Sequence, residues 1–220
     1  MLEIVNAVKS YGSRKIMDGL SIKLPESGIV CLFGPSGCGK TTLLNCVSGA
    51  ERLDAGILSG FEEKKISCVF QEDRLLPWLS AEENIAVVFN ERREGLRLAR
   101  EWLEKIGLKG EEHKKPEELS GGMCRRVAIA RALAFGGDLF LLDEPFQRLD
   151  AANRDRMLEL VRESTRGALV LLVTHSETER SELADITLTV SGPPLRFIHE
   201  EKNSRIKMAD PGFTVLPVGN

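Results

Sequence analysis

Gly34-Pro35-Ser36-Gly37-Cys38-Gly39-Lys40-Thr41 is a glycine loop that follows directly on the apolar run Ile29-Val30-Cys31-Leu32-Phe33. The loop fits G-x-x-x-x-G-K-[ST] with no mismatch. Glycines let backbone N–H groups turn inward around phosphate oxygens, and a helix starting at the end of the loop adds its N-terminal dipole. Lys40 is placed to reach the β- and γ-phosphates of a nucleoside triphosphate, and the Thr41 hydroxyl is a ligand for Mg²⁺. Thr42 is next along the expected helix, from about Lys40 to Ser48, and is grouped with the phosphate contacts. A short apolar run bounded by such a loop reads as a strand buried on both faces.

The same type of strand returns at Ile66 to Phe70, Leu139 to Leu142 and Ala168 to Val173. Helical patterns between these runs imply parallel crossovers, so the core is an α/β unit built on a parallel sheet. Near the N-terminus, Leu2, Ile4 and Ala7, then Leu20, Ile22 and Leu24, alternate with polar residues. That pattern predicts half-buried strands of an antiparallel β subdomain. Residues 76–118 contain no strand candidate. Ser80-Ala81-Glu82-Glu83 is a capping-box pattern, and Leu96, Ala99, Leu103 and Ile106 recur at helical spacing, so this stretch is expected to be an inserted α-helical subdomain. The domain is expected to span 1–190, with 191–220 an irregular C-terminal tail.

Composition narrows the class. The chain has 220 residues, 42% of them hydrophobic, which suffices for one α/β core. A formal net charge of −3 gives no basic footprint for nucleic acid. The longest strongly apolar run, 168–173, is far below the roughly 18 residues of a membrane span. A soluble protein that meets the membrane only through a partner is expected. The five cysteines show no C-x-x-C pair and support neither a disulfide framework nor a zinc site. Cys38, inside the phosphate loop at a helix N-terminus, is expected to be reactive and shielded by ATP.

Asp143 and Glu144 end an apolar strand, at the carboxyl edge of the sheet where open α/β sheets bind ligands. Asp143 suits Mg²⁺ held through water, and Glu144 suits polarising the water that attacks the γ-phosphate. His175 follows another buried strand and emerges at the same edge. Upstream lies Leu119-Ser120-Gly121-Gly122-Met123. Ser120 is a good N-cap, and Gly121 and Gly122 expose N–H groups at a helix start, which makes a second anion site.

With this signature between the phosphate loop and Asp143-Glu144, the chain resembles the ATP-binding subunits of ABC transporters, from about Tyr11 to Asp185. The resemblance implies a P-loop ATPase core that converts ATP and water to ADP and phosphate. It implies Tyr11 stacked on adenine, Gln71 sensing Mg²⁺ and the attacking water, and His175 contacting the γ-phosphate. Catalysis then falls to Glu144, His175, Gln71 and Lys40. Nucleotide binding falls to Tyr11, Gly34–Thr42, Ser120, Gly121, Gly122 and Asp150, and Mg²⁺ to Thr41, Gln71 and Asp143. The implied assembly is a head-to-tail homodimer with ATP between one P-loop and the other subunit's signature. It would sit at the cytoplasmic face of the membrane on permease subunits, served indirectly by a solute-binding protein.

Phe70-Gln71-Glu72-Asp73-Arg74-Leu75-Leu76-Pro77-Trp78 is similar to importers of the nitrate, sulfonate, taurine and thiamine-precursor type. Apolar Leu75, Leu76 and Trp78 then suit docking of a permease helix. The stretch Phe146-Gln147-Arg148-Leu149-Asp150 departs from the group's usual Phe-Gly-Ala-Leu-Asp and puts a long cation near the dimer seam. The alternative is a soluble ABC-type ATPase acting on nucleic acid or ribosomes. That class shows a coiled-coil insertion or paired cassettes, and neither is present.

Overall fold

The computed structural model describes residues 2–203. Strands β1 (Leu2–Tyr11), β2 (Arg14–Leu24) and β4 (Ala55–Ser59) form an antiparallel sheet in the order β2-β1-β4. A second sheet has the order β5-β6-β7-β3-β8-β9. It comprises β3 (Gly28–Phe33), β5 (Ile66–Val69), β6 (Leu139–Asp143), β7 (Leu169–Thr174), β8 (Ile186–Ser191) and β9 (Arg196–Lys202). All neighbours in it are parallel except the antiparallel β8–β9 pair. The helices are α1 (Lys40–Val47), α2 (Ala81–Ala86), α3 (Arg92–Lys105), α4 (Gly121–Phe135), α5 (Ala151–Ser164) and α6 (Glu177–Leu183).

The apolar strands divide their side chains between two cores because successive residues point to opposite faces. Val30, Leu32, Leu139, Leu141, Leu169, Leu171 and Val173 pack with α1 and the antiparallel sheet. Cys31, Phe140, Leu142, Val170 and Leu172 pack on the other face with the helices. Burial on both faces explains why these strands read as unbroken apolar runs. Between β5 and α4 lie α2, α3 and a short 3₁₀ turn at Pro116–Glu118. The Ser80 capping box forms: its hydroxyl accepts from Glu83 N, and Glu83 Oε2 accepts from Ser80 N at 3.1 Å. On α3 and its C-cap, Ala99, Leu103 and Ile106 are fully buried.

One reading needs correction. The irregular tail expected from residue 191 is instead strand over Arg196–Lys202, paired with β8 from Ser191↔Arg196 to Ile186↔Lys202. It is an edge strand rich in charge, with Glu200, Glu201 and Lys202 in succession, so it lacks an apolar alternation to detect. Residues 204–220 of that expected tail lie outside the described residues. The edge strand β4 went unread for the same reason, since four of its five residues are exposed.

Candidate functional site

The parallel strands end at one edge, and the chain leaves β3, β6 and β7 there carrying the phosphate loop, Asp143-Glu144 and His175. The loop turns through Gly37 at φ 77° and Gly39 at φ 113°, left-handed values that a side chain would strain. Lys40 opens α1. Its buried Nζ donates to Gly34 O at 2.7 Å and Pro35 O at 2.8 Å, closing the loop on itself.

One cleft of about 280 Å³ gathers most of the anticipated residues. Ser36, Gly37, Gly39, Lys40, Thr41 and Thr42 line it together with Gln71, Asp143 and Glu144. Tyr11, at the end of β1, lines it too. The Tyr11 ring is half exposed, and its hydroxyl donates to Glu51. Burial and that hydrogen bond push the phenol up. Two polar residues that the sequence does not assign to the site, Arg14 and Gln147, also line the cleft. Arg14 follows Tyr11 across the β1–β2 turn, and its Nη2 donates to Gly37 O at 3.5 Å. An exposed hairpin arginine gives no signal in sequence until the hairpin is folded against the loop.

Asp143 is nearly inaccessible, and burial raises its pKa against a hydrogen bond with Thr41 that lowers it. Its Oδ1 is buried with no hydrogen-bond partner. An orphaned carboxylate oxygen beside a threonine hydroxyl is a donor set suited to a hard divalent cation such as Mg²⁺, directly or through water. Thr41 and Asp143 would hold that ion, with Gln71 lining the same cleft, and it would supply positive charge against bound phosphates.

Glu144 adopts φ 46°, a left-handed conformation rare outside glycine that costs about 1–3 kcal/mol. The turn is fixed by Glu144 N donating to Val173 O at 2.9 Å. Its carboxylate meets His175 Nδ1 at 2.8 Å. The contact holds the imidazole and the carboxylate in a fixed mutual orientation. His175 does not line the cleft itself; it stands behind Glu144, with its side chain more than half exposed.

Other anticipated contacts lie elsewhere. Gly34 packs against β8: a Cβ there would meet Val190 O at 2.3 Å. Pro35 contributes its carbonyl to Lys40. Cys38 turns its side chain into the core and has no exposed surface, which overturns the expectation of a reactive thiol, since a buried sulfur is out of reach of reagent. Ser120, Gly121 and Gly122 do not line the cleft. Ser120 caps α4, accepting from Met123 N at 3.2 Å. Asp150 is outside the cleft too, and caps α5 by accepting from Asn153 N at 2.9 Å. Ser120 and Gly121 are exposed, and the signature stands apart from the cleft.

A model of the ABC transporter family matches residues 17–147, which spans the loop, Gln71, the signature and Glu144. The chain belongs to the ABC transporter family. Aliphatic sulfonates import ATP-binding protein SsuB 3 of Paraburkholderia xenovorans (strain LB400) is 44% identical over 184 residues, covering 83% of this chain and 73% of the relative. Taurine import ATP-binding protein TauB of Escherichia coli (strain K12) is 37% identical over 243 residues, covering 98% and 94%. Among solved structures, the ATP-binding cassette MJ0796 in a dimeric post-hydrolysis state bound to ADP and Pi superposes with a TM-score of 0.82 at 28% identity, covering 92% of this ABC chain and 98% of that one.

Beside the site, Asn84 of α2 is fully buried and pins the segment after Gln71. Its Oδ1 accepts from Leu76 N at 2.8 Å, and its Nδ2 donates to the carbonyls of Leu76, Leu79 and Ser80, each at 3.1 Å. This clamp leaves Trp78 67% exposed, while Leu75 packs onto the core. Among the described residues no helix is long and apolar enough to cross a membrane.

Proposed function

We propose that this protein is the ATP-hydrolysing subunit of an ABC importer, converting ATP and water to ADP and phosphate to drive solute uptake through a partner permease. The observation that carries the reading is the convergence of Lys40, Thr41, Gln71, Asp143 and Glu144 on one cleft, with His175 hydrogen-bonded to Glu144. Loop N–H groups and Lys40 bind the phosphates, Tyr11 stacks on the base, and Glu144, oriented by His175, takes the proton of the attacking water. Thr41 and Asp143 hold Mg²⁺, with Gln71 beside it.

The signature, exposed and outside the cleft, supports a head-to-tail homodimer in which Ser120, Gly121 and Gly122 reach the nucleotide of the other copy. Asp150 enters this seam with the segment after Glu144. Loss of the γ-phosphate removes the contacts that favour closure, and the dimer opens by differential binding. The exposed Trp78 and Val87 offer apolar surface for a permease helix at the cytoplasmic face of the membrane. Leu75 is withdrawn from that role by its packing on the core. The names of the relatives point to sulfonates as the class of solute, delivered by a binding protein.

Phosphate release tests the reading. Wild-type protein should release phosphate from ATP only with Mg²⁺, and both Lys40→Ala and Glu144→Gln should abolish release, with ATP binding kept in Glu144→Gln. Release by Lys40→Ala at the wild-type rate would contradict it.

A further inference from the structure

Arg125 stands on α4, two residues past the signature, and its side chain is fully buried. A guanidinium has five N–H donors and accepts nothing, so burying one demands acceptors from its surroundings. Nε donates to Pro145 O at 2.7 Å, and Nη2 to Asp143 O at 2.9 Å and Glu144 O at 2.7 Å. Nη1 donates to Phe70 O at 2.6 Å and to Asp73 Oδ1 at 3.1 Å. The backbone segments that carry Gln71 and Glu144 therefore converge on one side chain of the signature helix.

The charge partner of this buried cation is shared. Asp73 also accepts from Arg148 Nη2 at 2.9 Å through each of its carboxylate oxygens. Arg148 lies four residues beyond Glu144 in a left-handed conformation, φ 67°. It rests against the start of α4: a Cβ on Gly122 would meet Arg148 O at 3.0 Å, and one on Gly121 would meet Arg148 Nη1 at 3.5 Å. One carboxylate thus ties the segment after Gln71 to the segment after Glu144 and to the signature helix. Removing its charge leaves Arg125 buried without a counter-ion and frees Arg148.

We propose that Asp73 is a positioning residue for ATP hydrolysis: by bridging Arg125 and Arg148 it fixes Gln71 in register with Glu144 and the signature helix. This rests on the ATPase reading. Neither Asp73 nor Arg148 lines the nucleotide cleft, so the bridge governs turnover and leaves the binding of a single nucleotide intact.

The test uses the full chain as wild type, Asp73→Asn, Asp73→Glu, Arg148→Met and the Asp73→Asn/Arg148→Met double variant. Phosphate release gives kcat and KM, a fluorescent ATP analogue gives affinity, and thermal melting reports folding. In Asp73→Asn kcat should fall about tenfold or more, the scale of a displaced catalytic group. KM and nucleotide affinity should stay within about twofold of wild type. Asp73→Glu should recover most of the rate. The double variant should be no slower than Asp73→Asn, because both changes break one bridge. A kcat for Asp73→Asn within about twofold of wild type overturns the proposal, as does a matching loss of nucleotide affinity. Should Asp73→Asn not fold, Arg148→Met decides alone: a reduced kcat at unchanged affinity supports the bridge, and an unchanged kcat overturns it. Wild-type protein that releases no phosphate overturns the ATPase reading itself, and is distinguished from the other failures by that control.

Discussion

Gly34→Ala tests how tightly the phosphate loop is held against the sheet. A Cβ on Gly34 would lie 2.3 Å from Val190 O, 2.9 Å from Val190 Cγ2 and 3.1 Å from Val190 C. The obstacle is mostly backbone of β8, so no rotamer change relieves it. About 0.7 Å of separation must open between the loop and β8 to bring the closest contact to 3.0 Å, and such overpacking costs about 1–3 kcal/mol. For a domain of this size each kcal/mol moves the melting temperature by about 2–4 °C, which sets an expected drop of about 2–12 °C. The same shift turns loop N–H groups away from the phosphates. Hydrogen bonds to a charged group are worth about 1.5–3 kcal/mol each, and losing one weakens ATP binding about tenfold or more. Differential scanning fluorimetry and titration with a fluorescent ATP analogue measure both. A variant that melts within about 1 °C of wild type and binds ATP within about twofold would show that the loop is not held against β8 in this way.

Asp143→Asn should abolish Mg²⁺-dependent phosphate release yet raise the melting temperature at neutral pH. Burial lifts the folded-state pKa of Asp143 above its unfolded value near 4, so the folded state holds the proton more tightly and stability falls as pH rises through that window. The variant's advantage should therefore grow as pH climbs above about 4 and vanish below it; an advantage independent of pH would assign it to another cause. Tyr11→Ala should weaken ATP binding by the about 1–3 kcal/mol of a base–aromatic stack, and Tyr11→Phe should restore it. Equal binding by the Ala and Phe variants would mean that the ring does not stack.

The nucleotide-binding half of this fold is written locally in the chain. The loop 34–41, the strands at 29–33, 139–142 and 169–173, and the capping box at Ser80 each need only neighbours in sequence to be recognised. Their strands are buried on both faces, and that burial is itself the apolar run that betrays them. The charged edge strand Arg196–Lys202 and the exposed strand Ala55–Ser59 are held by backbone pairing, which leaves no side-chain pattern. The site divides in the same way. Lys40, Thr41 and Asp143 are fixed by motif, whereas Cys38 was misread because position in the loop does not tell which way a side chain turns. Arg125 was overlooked because a helical arginine reads as solvated surface. Only the folded backbone shows carbonyls 55 and 20 residues away in sequence converging on it. The Arg148 departure likewise finds its meaning in Asp73, 75 positions earlier.

In the assembly we propose, one nucleotide is gripped by two copies of this chain, by the cleft of one and the signature of the other. Light scattering during size exclusion of Glu144→Gln protein, with Mg²⁺-ATP and without nucleotide, reads that assembly out. A monomer is expected without nucleotide and a dimer with ATP. Glu144→Gln protein that binds ATP and remains a monomer would contradict it.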